Sequence, residues 1–473
     1  MEKRVVLIYP YFYEMDPVEK LFQPLGIAYL ASQLKVLDVK TDIVDCTFST
    51  FDEAVETIVS MNPAIIGISI MISFSRSAFQ LVEVLRRKLP EALFVCGGPL
   101  PTLYPEHFSK DFDVVFRGEG DIIFPAFCKN YMQSLEDSAD QKTKSTDQKT
   151  KPTEQRMNDG NQKADSFEQK PTNEFINDIN PEDYPGIFMK RNGKIYSSEI
   201  IHHDEEILQG LPIPYREGRH NELYQEFWGR TQNVKPAMIM ITRGCPFNCD
   251  FCSKPVWGNI FRKPSLDKIF QEIEEIIALG YDQLWIADDS FTLDPEFLAS
   301  FCTEKIRRNL KISWTCLSRT NGLDEVIVSL MKKAGCVKAY FGLETGSNEV
   351  LALMNKHTTV EDGIAAVRLF ESIGIGTGGF FIVGYPGETE ETIKKTFDLA
   401  LSLPLDEIFF NIPLPLPGSG LFDRVIGINT EQDWSKASET RFVYKSDFNE
   451  DWLRENIEAA MNEFNLRKVK MIK

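Results

Sequence analysis

Two runs of short, almost continuously apolar segments, each alternating with helical periodicity, constrain this chain more than any other feature. In the first run, Val5–Tyr9, Thr41–Val44, Ala64–Ile70, Leu93–Cys96 and Val114–Phe116 read as strands. Between them lie helical patterns such as Ser77–Lys88, where Phe79, Val82 and Leu85 recur on one face. Strands apolar throughout are buried on both sides, as in a parallel sheet covered by helices. Residues 1–130 are therefore expected to form a doubly wound, Rossmann-like α/β domain that binds ligands at the carboxyl ends of its strands.

The second run spans 235–430, with strands expected at Met238–Thr242, Gln283–Ala287, Ile312–Leu317, Ala339–Leu343, Gly379–Val383 and Glu407–Ile412. The helix Leu266–Leu279 gathers Leu266, Ile269, Phe270, Ile273, Ile276 and Ile277 on one face, with Ser265 as N-cap and Gly280 as stop. Six strand–helix repeats imply a partial (β/α)6, TIM-like barrel with its chemistry at the carboxyl strand ends. Residues 131–175 break the pattern: DQKTK occurs at Asp140–Lys144 and again at Asp147–Lys151, amid polar residues. So little apolar material cannot offset the entropy of ordering, and a disordered insertion is expected there. A connector over 176–234 carries Asn192-Gly193 between apolar runs, a hairpin signal. A tail over 431–473 holds a helix near Asp451–Arg467.

The 52 Lys and Arg against 70 Asp and Glu leave a net charge of −18, which disfavours a nucleic-acid partner because that affinity rests on cationic neutralisation of phosphates. The opening MEKRVVLIYPYFYEMD is a short strand rather than a secretory signal, and no run of uncharged apolar residues is long enough to span a bilayer. A cytoplasmic location is expected, and disulfides are not. Nine cysteines is an odd count, and three of them crowd into the segment Cys245–Cys252.

That segment reads Thr242-Arg243-Gly244-Cys245-Pro246-Phe247-Asn248-Cys249-Asp250-Phe251-Cys252, just after the first strand of the second block. A structural zinc site wants four closed ligands, but no second CxxC follows and His220 and His357 lie far off in sequence. Three thiolates on a four-iron cluster would leave one iron open for chemistry. The spacing CxxxCxxC, with an aromatic before the third cysteine, resembles the signature of the radical S-adenosylmethionine (SAM) superfamily. The resemblance implies a 4Fe–4S cluster on Cys245, Cys249 and Cys252, SAM on the open iron, and reductive cleavage to a 5′-deoxyadenosyl radical. Iron–sulfur potentials reach about −700 mV, within range of that reduction.

The resemblance runs through the second block. Asp288-Asp289-Ser290-Phe291-Thr292 is similar to the family's strand end beside the methionine part of SAM, and Ser318-Arg319 to the one near the ribose and carboxylate. Gly342-Leu343-Glu344-Thr345-Gly346-Ser347 resembles the family's Gly-x-Glu-Ser/Thr-Gly-Ser turn, and the segment around Gly384 its adenine side. Asp289, Ser318, Arg319, Glu344 and Gly384 are thus the cofactor-binding residues it implies in the barrel. For Asp289, Arg319 and Glu344 the plainer alternative is a polar group that satisfies a loop or a helix end.

The first block resembles the cobalamin-binding domain that precedes many such barrels. The likeness rests on Gln23–Leu30, Gly67–Met71, Cys96-Gly97-Gly98-Pro99 and Arg117-Gly118-Glu119-Gly120. It implies cobalamin near Ser69, Met71, Gly97 and Gly98, where small residues permit close backbone approach. The Asp-x-His-x-x-Gly motif of methionine-synthase-type domains is missing: Tyr9–Gly26 holds no histidine, so no lower imidazole ligand is expected. Tyr11 and Tyr13 lie in the loop where a residue could face cobalt, but aromatic packing is the favoured reading. Cys46, Cys96, Cys128, Cys302, Cys316 and Cys336 read as core thiols.

Together these features imply a cobalamin-dependent radical SAM enzyme that methylates an unactivated carbon of a small organic substrate. Flavodoxin or ferredoxin would be its electron donor, and its oligomeric state stays open. One alternative is a cyclase or oxidative enzyme without methyl transfer, as in the anaerobic magnesium-protoporphyrin cyclase group. Another is a non-catalytic cobalamin sensor or carrier, which the intact cysteine loop argues against. A tRNA methylthiotransferase would need a second N-terminal cysteine cluster and a basic RNA-binding module, and Asn465–Lys473 is only mildly basic.

Overall fold

A computed structural model describes residues 3–15, 21–146, 174–254, 256–425, 427 and 442–472. Five strands open the chain: β1 (Val5–Tyr9), β2 (Thr41–Asp45), β3 (Ile65–Ser69), β4 (Leu93–Gly97) and β5 (Val114–Phe116). They pair in parallel in the order β2-β1-β3-β4-β5. Alternate side chains feed opposite faces. Val6, Ile8, Ile66 and Ile68 join Leu81 and Leu85 of helix Ser75–Lys88, whereas Val5, Leu7, Ile65 and Val95 join Ile27 and Leu34 of helix Leu25–Val36. Burial on both faces is why the central strands β1, β3 and β4 lack polar alternation, whereas the edge strand β2 keeps Thr41, Asp42 and Asp45.

The Asn192-Gly193 hairpin forms as expected, from β6 (Ile187–Arg191) and β7 (Lys194–Ser197). It is more than a connector. β6 adds antiparallel to β5, so the first sheet has seven strands and recruits its last two from beyond the polar stretch. The expectation of disorder from residue 131 is also corrected at its start, because helix Ile123–Thr146 continues through the first DQKTK. Tyr131 is fully buried, and Met132 and Leu135 pack against the same core, so apolar periodicity persists further than bulk composition suggests. Residues 147–173 lie outside the described residues.

The second sheet holds β8 (Pro236–Ile239), β9 (Gln283–Ile286), β10 (Ser313–Ser318), β11 (Cys336–Glu344), β12 (Gly376–Ile382) and β13 (Glu407–Asn411). All six are parallel and in sequential order, with β8 and β13 at the edges, giving an open barrel. Outward residues Leu284, Ile286, Trp314, Cys316 and Phe341 build the core beneath the helices. Inward residues Met238, Trp285, Thr315 and Tyr340 line a cavity of about 300 Å³, walled also by Leu21 and Phe22 of the first domain. Helix Leu266–Ala278 is capped by Ser265, whose Oγ accepts from the Lys268 N–H at 3.3 Å. The tail helix runs over Glu450–Ile472. Among the described residues, no helix is long and apolar enough to cross a membrane.

The six cysteines outside the loop are all fully buried. At the carboxyl end of β4, Gly98 has φ +107°, and a Cβ there would stand 3.0 Å from the Ile70 carbonyl oxygen. Gly98→Ala is therefore expected to destabilise the first domain by about 1–3 kcal/mol, the cost of holding a side chain in a glycine-only conformation. Urea unfolding of the full chain would check this, and an unchanged midpoint would contradict it.

Candidate functional site

The cysteine loop leaves β8 early because its first residues are drawn to β9 rather than into a longer strand. The carboxylate of Asp288 accepts from the Ile241 N–H at 2.7 Å, the Thr242 N–H at 2.8 Å and the Thr242 hydroxyl at 2.7 Å. This is why β8 ends at Ile239, short of the expected Thr242. Further on, Lys254 donates to the Cys245 carbonyl at 2.9 Å and to the Phe247 carbonyl. Asp250, between the second and third cysteines, accepts from Tyr385 and Arg424. Its N–H donates to the Met354 carbonyl at 2.8 Å, and Asn355 donates to the Asn248 carbonyl at 2.7 Å. The loop is thus pinned at its start, middle and end.

The three thiols are partly buried and free. Burial pushes the Cys245 thiol up and the Cys252 thiol up to about 11, with Asp289 adding to both and Lys254 opposing. A metal that takes thiolates would have to displace those protons. Among the described residues, only Glu119, Asp121 and His203 bring three ligand atoms within 4.8 Å of one another, so at least one pair of the three thiols stands farther apart than that. Ligands on one tetrahedral zinc, with bonds of about 2.3 Å, would lie about 3.8 Å apart. The donor set fits a multi-iron cluster better than a single ion.

The neighbouring strand ends close around this loop. Asp289 is exposed beside it. The buried Ser318 hydroxyl lies 2.8 Å from Thr292 Oγ1 and donates to the Arg319 carbonyl at 2.8 Å. Arg319 lies 3.6 Å over the ring of Phe247 and donates to the Lys356 carbonyl at 2.6 Å, while its buried Nε has no partner. Glu344 sits at φ +62° and is ion-paired with Lys356, which lies 5.7 Å from the Phe251 ring. The hydroxyls of Ser253 and Ser290 are also buried without partners. Unsatisfied donors of this kind suit a polar ligand such as the amino-acid end of SAM.

Gly384 is placed differently. A Cβ on it would stand 2.7 Å from Phe442 and 3.0 Å from Leu453, so this glycine seats the C-terminal segment. The buried Glu388 takes a hydrogen bond from the N–H of Tyr385 at 2.8 Å and is further stabilised by that of Gly384. The geometry brings Asp289, Ser318, Arg319 and Glu344 around the cysteines, but commits the Cα face of Gly384 to packing. Sequence reasoning missed Asp288, Lys254 and Lys356. Strand parity was the available signal for Asp288: Trp285 faces the lumen while Leu284 and Ile286 face the outer core, and Asp288 follows the parity of the latter pair. Lys356, in a turn after a short helix, carries no periodic signal.

In the first domain, Ser69 and Gly97 are register partners at the ends of β3 and β4, and Met71 beyond them is exposed. Gly98 completes this rim. The tyrosines after β1 pack as aromatics: Tyr11 lies 6.3 Å from Phe74, and Tyr13 meets Phe227 edge-on at 5.4 Å. The rim offers small residues and open backbone at carboxyl strand ends, the place where doubly wound sheets hold ligands, so it fits a cobalamin.

Residues 15–128 match the B12 binding domain family, and residues 239–400 the Radical SAM superfamily. An uncharacterised methyltransferase of Pyrococcus horikoshii is 28% identical over 464 residues, covering 95% of this chain and 89% of that one. The anaerobic magnesium-protoporphyrin IX monomethyl ester cyclase of Rubrivivax gelatinosus is 26% identical over 436 residues, covering 89% of this chain and 70% of the cyclase. Among solved structures, the radical SAM methyltransferase TsrM of Kitasatospora setae, with cobalamin and a 4Fe–4S cluster bound, aligns with a TM-score of 0.68 at 17% identity. That alignment covers 89% of this chain and 77% of TsrM. The cobalamin-dependent SAM radical enzyme OxsB aligns at 0.64 and 17% identity over 84% of this chain, which spans only 51% of OxsB. At such identity these structures speak for the fold alone.

Proposed function

We propose that this chain, whose residues 239–400 match the Radical SAM superfamily and residues 15–128 the B12 binding domain, methylates an unactivated carbon of a small organic substrate. The observation that carries the reading is a loop of three free thiols pinned at the carboxyl mouth of a parallel barrel. Cys245, Cys249 and Cys252 would hold the 4Fe–4S cluster. Asp289, Ser318, Arg319 and Glu344 would bind the polar groups of SAM, and Ser69, Met71, Gly97 and Gly98 would line the cobalamin. When bound, the cluster supplies the electron that cleaves SAM, and cobalamin the centre from which a methyl group is passed.

The chain's own part is holding and shielding. Asp288 and Lys254 fix the loop backbone, so the thiols keep their spacing whether or not they are loaded. The unpartnered Arg319 Nε would donate to the SAM carboxylate, and the Phe247 ring, 3.6 Å from the guanidinium, helps hold it in place. We place the protein in the cytoplasm, fed by flavodoxin or ferredoxin, with no nucleic-acid partner.

The extended similarity to the magnesium-protoporphyrin cyclase favours one second reading, oxidative ring formation without methyl transfer. A single experiment separates the two. Anaerobically rebuilt protein is given reductant, hydroxocobalamin, methyl-deuterated SAM and a metabolite extract. The expected result is 5′-deoxyadenosine together with a product that carries the label. Deoxyadenosine without labelled product would favour the cyclase-type reaction, and no deoxyadenosine at all would end the radical reading.

A further inference from the structure

A buried ionic cluster joins the two domains directly upstream of the first cysteine. Arg243, two residues before Cys245, donates to both carboxylate oxygens of Asp121, at 2.7 and 3.1 Å, and to Glu119 at 3.1 Å. Arg262 donates to the other oxygen of Glu119 at 2.5 Å. The two arginines also pair through their backbones, N–H to carbonyl, at 2.9 and 3.0 Å. Glu119, Asp121, Arg243 and Arg262 are each at most 6% exposed. The Arg243 guanidinium lies 4.5 Å from the Trp257 ring and 5.2 Å from that of Tyr29.

Glu119, Asp121 and His203 have the composition of a metal site, but the charges argue otherwise. Two carboxylates already face two guanidiniums, so a divalent cation would enter a neutral, buried cluster and repel both arginines. Burial pushes the Asp121 carboxyl up, yet Arg243 outweighs it and holds it below its ordinary range. Surface ion pairs are worth little, and buried ones seldom add net stability. What a fully buried, bidentate set does supply is fixed geometry.

We infer that Glu119 and Asp121 of the first domain are positioning residues for the cysteine loop, holding it through Arg243 and Arg262 so that the cluster site is complete only when the two domains are docked. The arrangement places the anchor of the cluster in the domain that receives cobalamin, so both cofactor sites share one rigid joint. This rests on the reading that the three thiols hold a cluster.

The test uses the full chain, rebuilt anaerobically with iron and sulfide and kept free of cobalamin. Two things are read: the chelator concentration that strips the iron, and the electron-paramagnetic-resonance spectrum of the reduced cluster with and without SAM. Glu119→Gln and Asp121→Asn are expected to lose iron about 10-fold more readily, the usual scale when groups supporting metal ligands are removed. Their SAM-dependent spectral change should also be broadened or lost. Glu119→Asp, which keeps the charge, should recover much of the wild-type behaviour. Wild-type iron retention and spectra in both neutral variants would overturn the inference. So would a loss matched by an equal collapse of the metal-free fold on melting, since that would mean simple domain packing. If the neutral variants do not fold, Arg243→Lys decides by the same readings, because it keeps the charge but not the planar fork. A wild-type chain that takes up no iron would instead refute the cluster reading itself.

Discussion

Cys249→Ala abolishes iron–sulfur absorbance in the anaerobically rebuilt protein, leaves hydroxocobalamin uptake intact, and eliminates SAM cleavage: that is the expected result. The thiol is only partly buried and makes no disulfide, so its removal leaves little cavity and the fold should hold within about 0.5 kcal/mol. The cobalamin rim at Ser69 and Gly97 belongs to a different sheet, so its occupancy should not follow the cluster. The measurements are iron per chain, the visible spectrum with and without hydroxocobalamin, and 5′-deoxyadenosine. A variant that keeps its full iron complement would show that Cys249 is not a ligand. Parallel loss of cobalamin would show that the two sites are one.

Asp288→Asn should be nearly as damaging, for a reason unrelated to metal. Two buried N–H groups and a hydroxyl converge on this carboxylate. An amide presents one oxygen and turns an NH2 group toward the remaining donors. At least one buried donor is then stranded, at about 1–3 kcal/mol, and the start of the cysteine loop comes free. The pH dependence adds a second signature. Burial lifts Asp288 to about 7, above its ordinary value. The folded state therefore favours the proton, a stabilisation complete below the ordinary carboxylate range and lost as pH rises through about 7. Asparagine does not titrate. The stability gap between wild type and variant, read from urea unfolding at several pH values, should narrow as pH rises from about 4 to about 8. A gap that widens over that interval would refute the assignment.

What the sequence revealed follows from how local each signal is. All three thiols lie within one turn-sized segment, so their shared purpose is visible in one dimension. The first sheet was legible because its central strands, Val5–Tyr9, Ile65–Ser69 and Leu93–Gly97, are buried on both faces and almost wholly apolar. Partners that meet only in three dimensions were hidden. Lys356 finds Glu344 across a turn, and the choice between Asp288 and Asp289 depends on which way a strand-end residue points. Gly384 was read through a family likeness as a cofactor contact, whereas its neighbours Phe442 and Leu453 explain the need for glycine there. At Tyr131–Leu135 a few well-spaced apolar residues prolonged a helix that average composition had written off.

The antiparallel hairpin at the edge of the first sheet bears on how this protein can be taken apart. A corrin-binding fragment truncated near residue 130 would leave β5, only three residues long, as a bare rim with unpaired amide and carbonyl groups. Such an edge invites self-association, so a soluble stand-alone module should be cut beyond Ser197. Anyone dissecting the two halves would do better to excise the polar stretch between Thr146 and Glu174 and keep the hairpin.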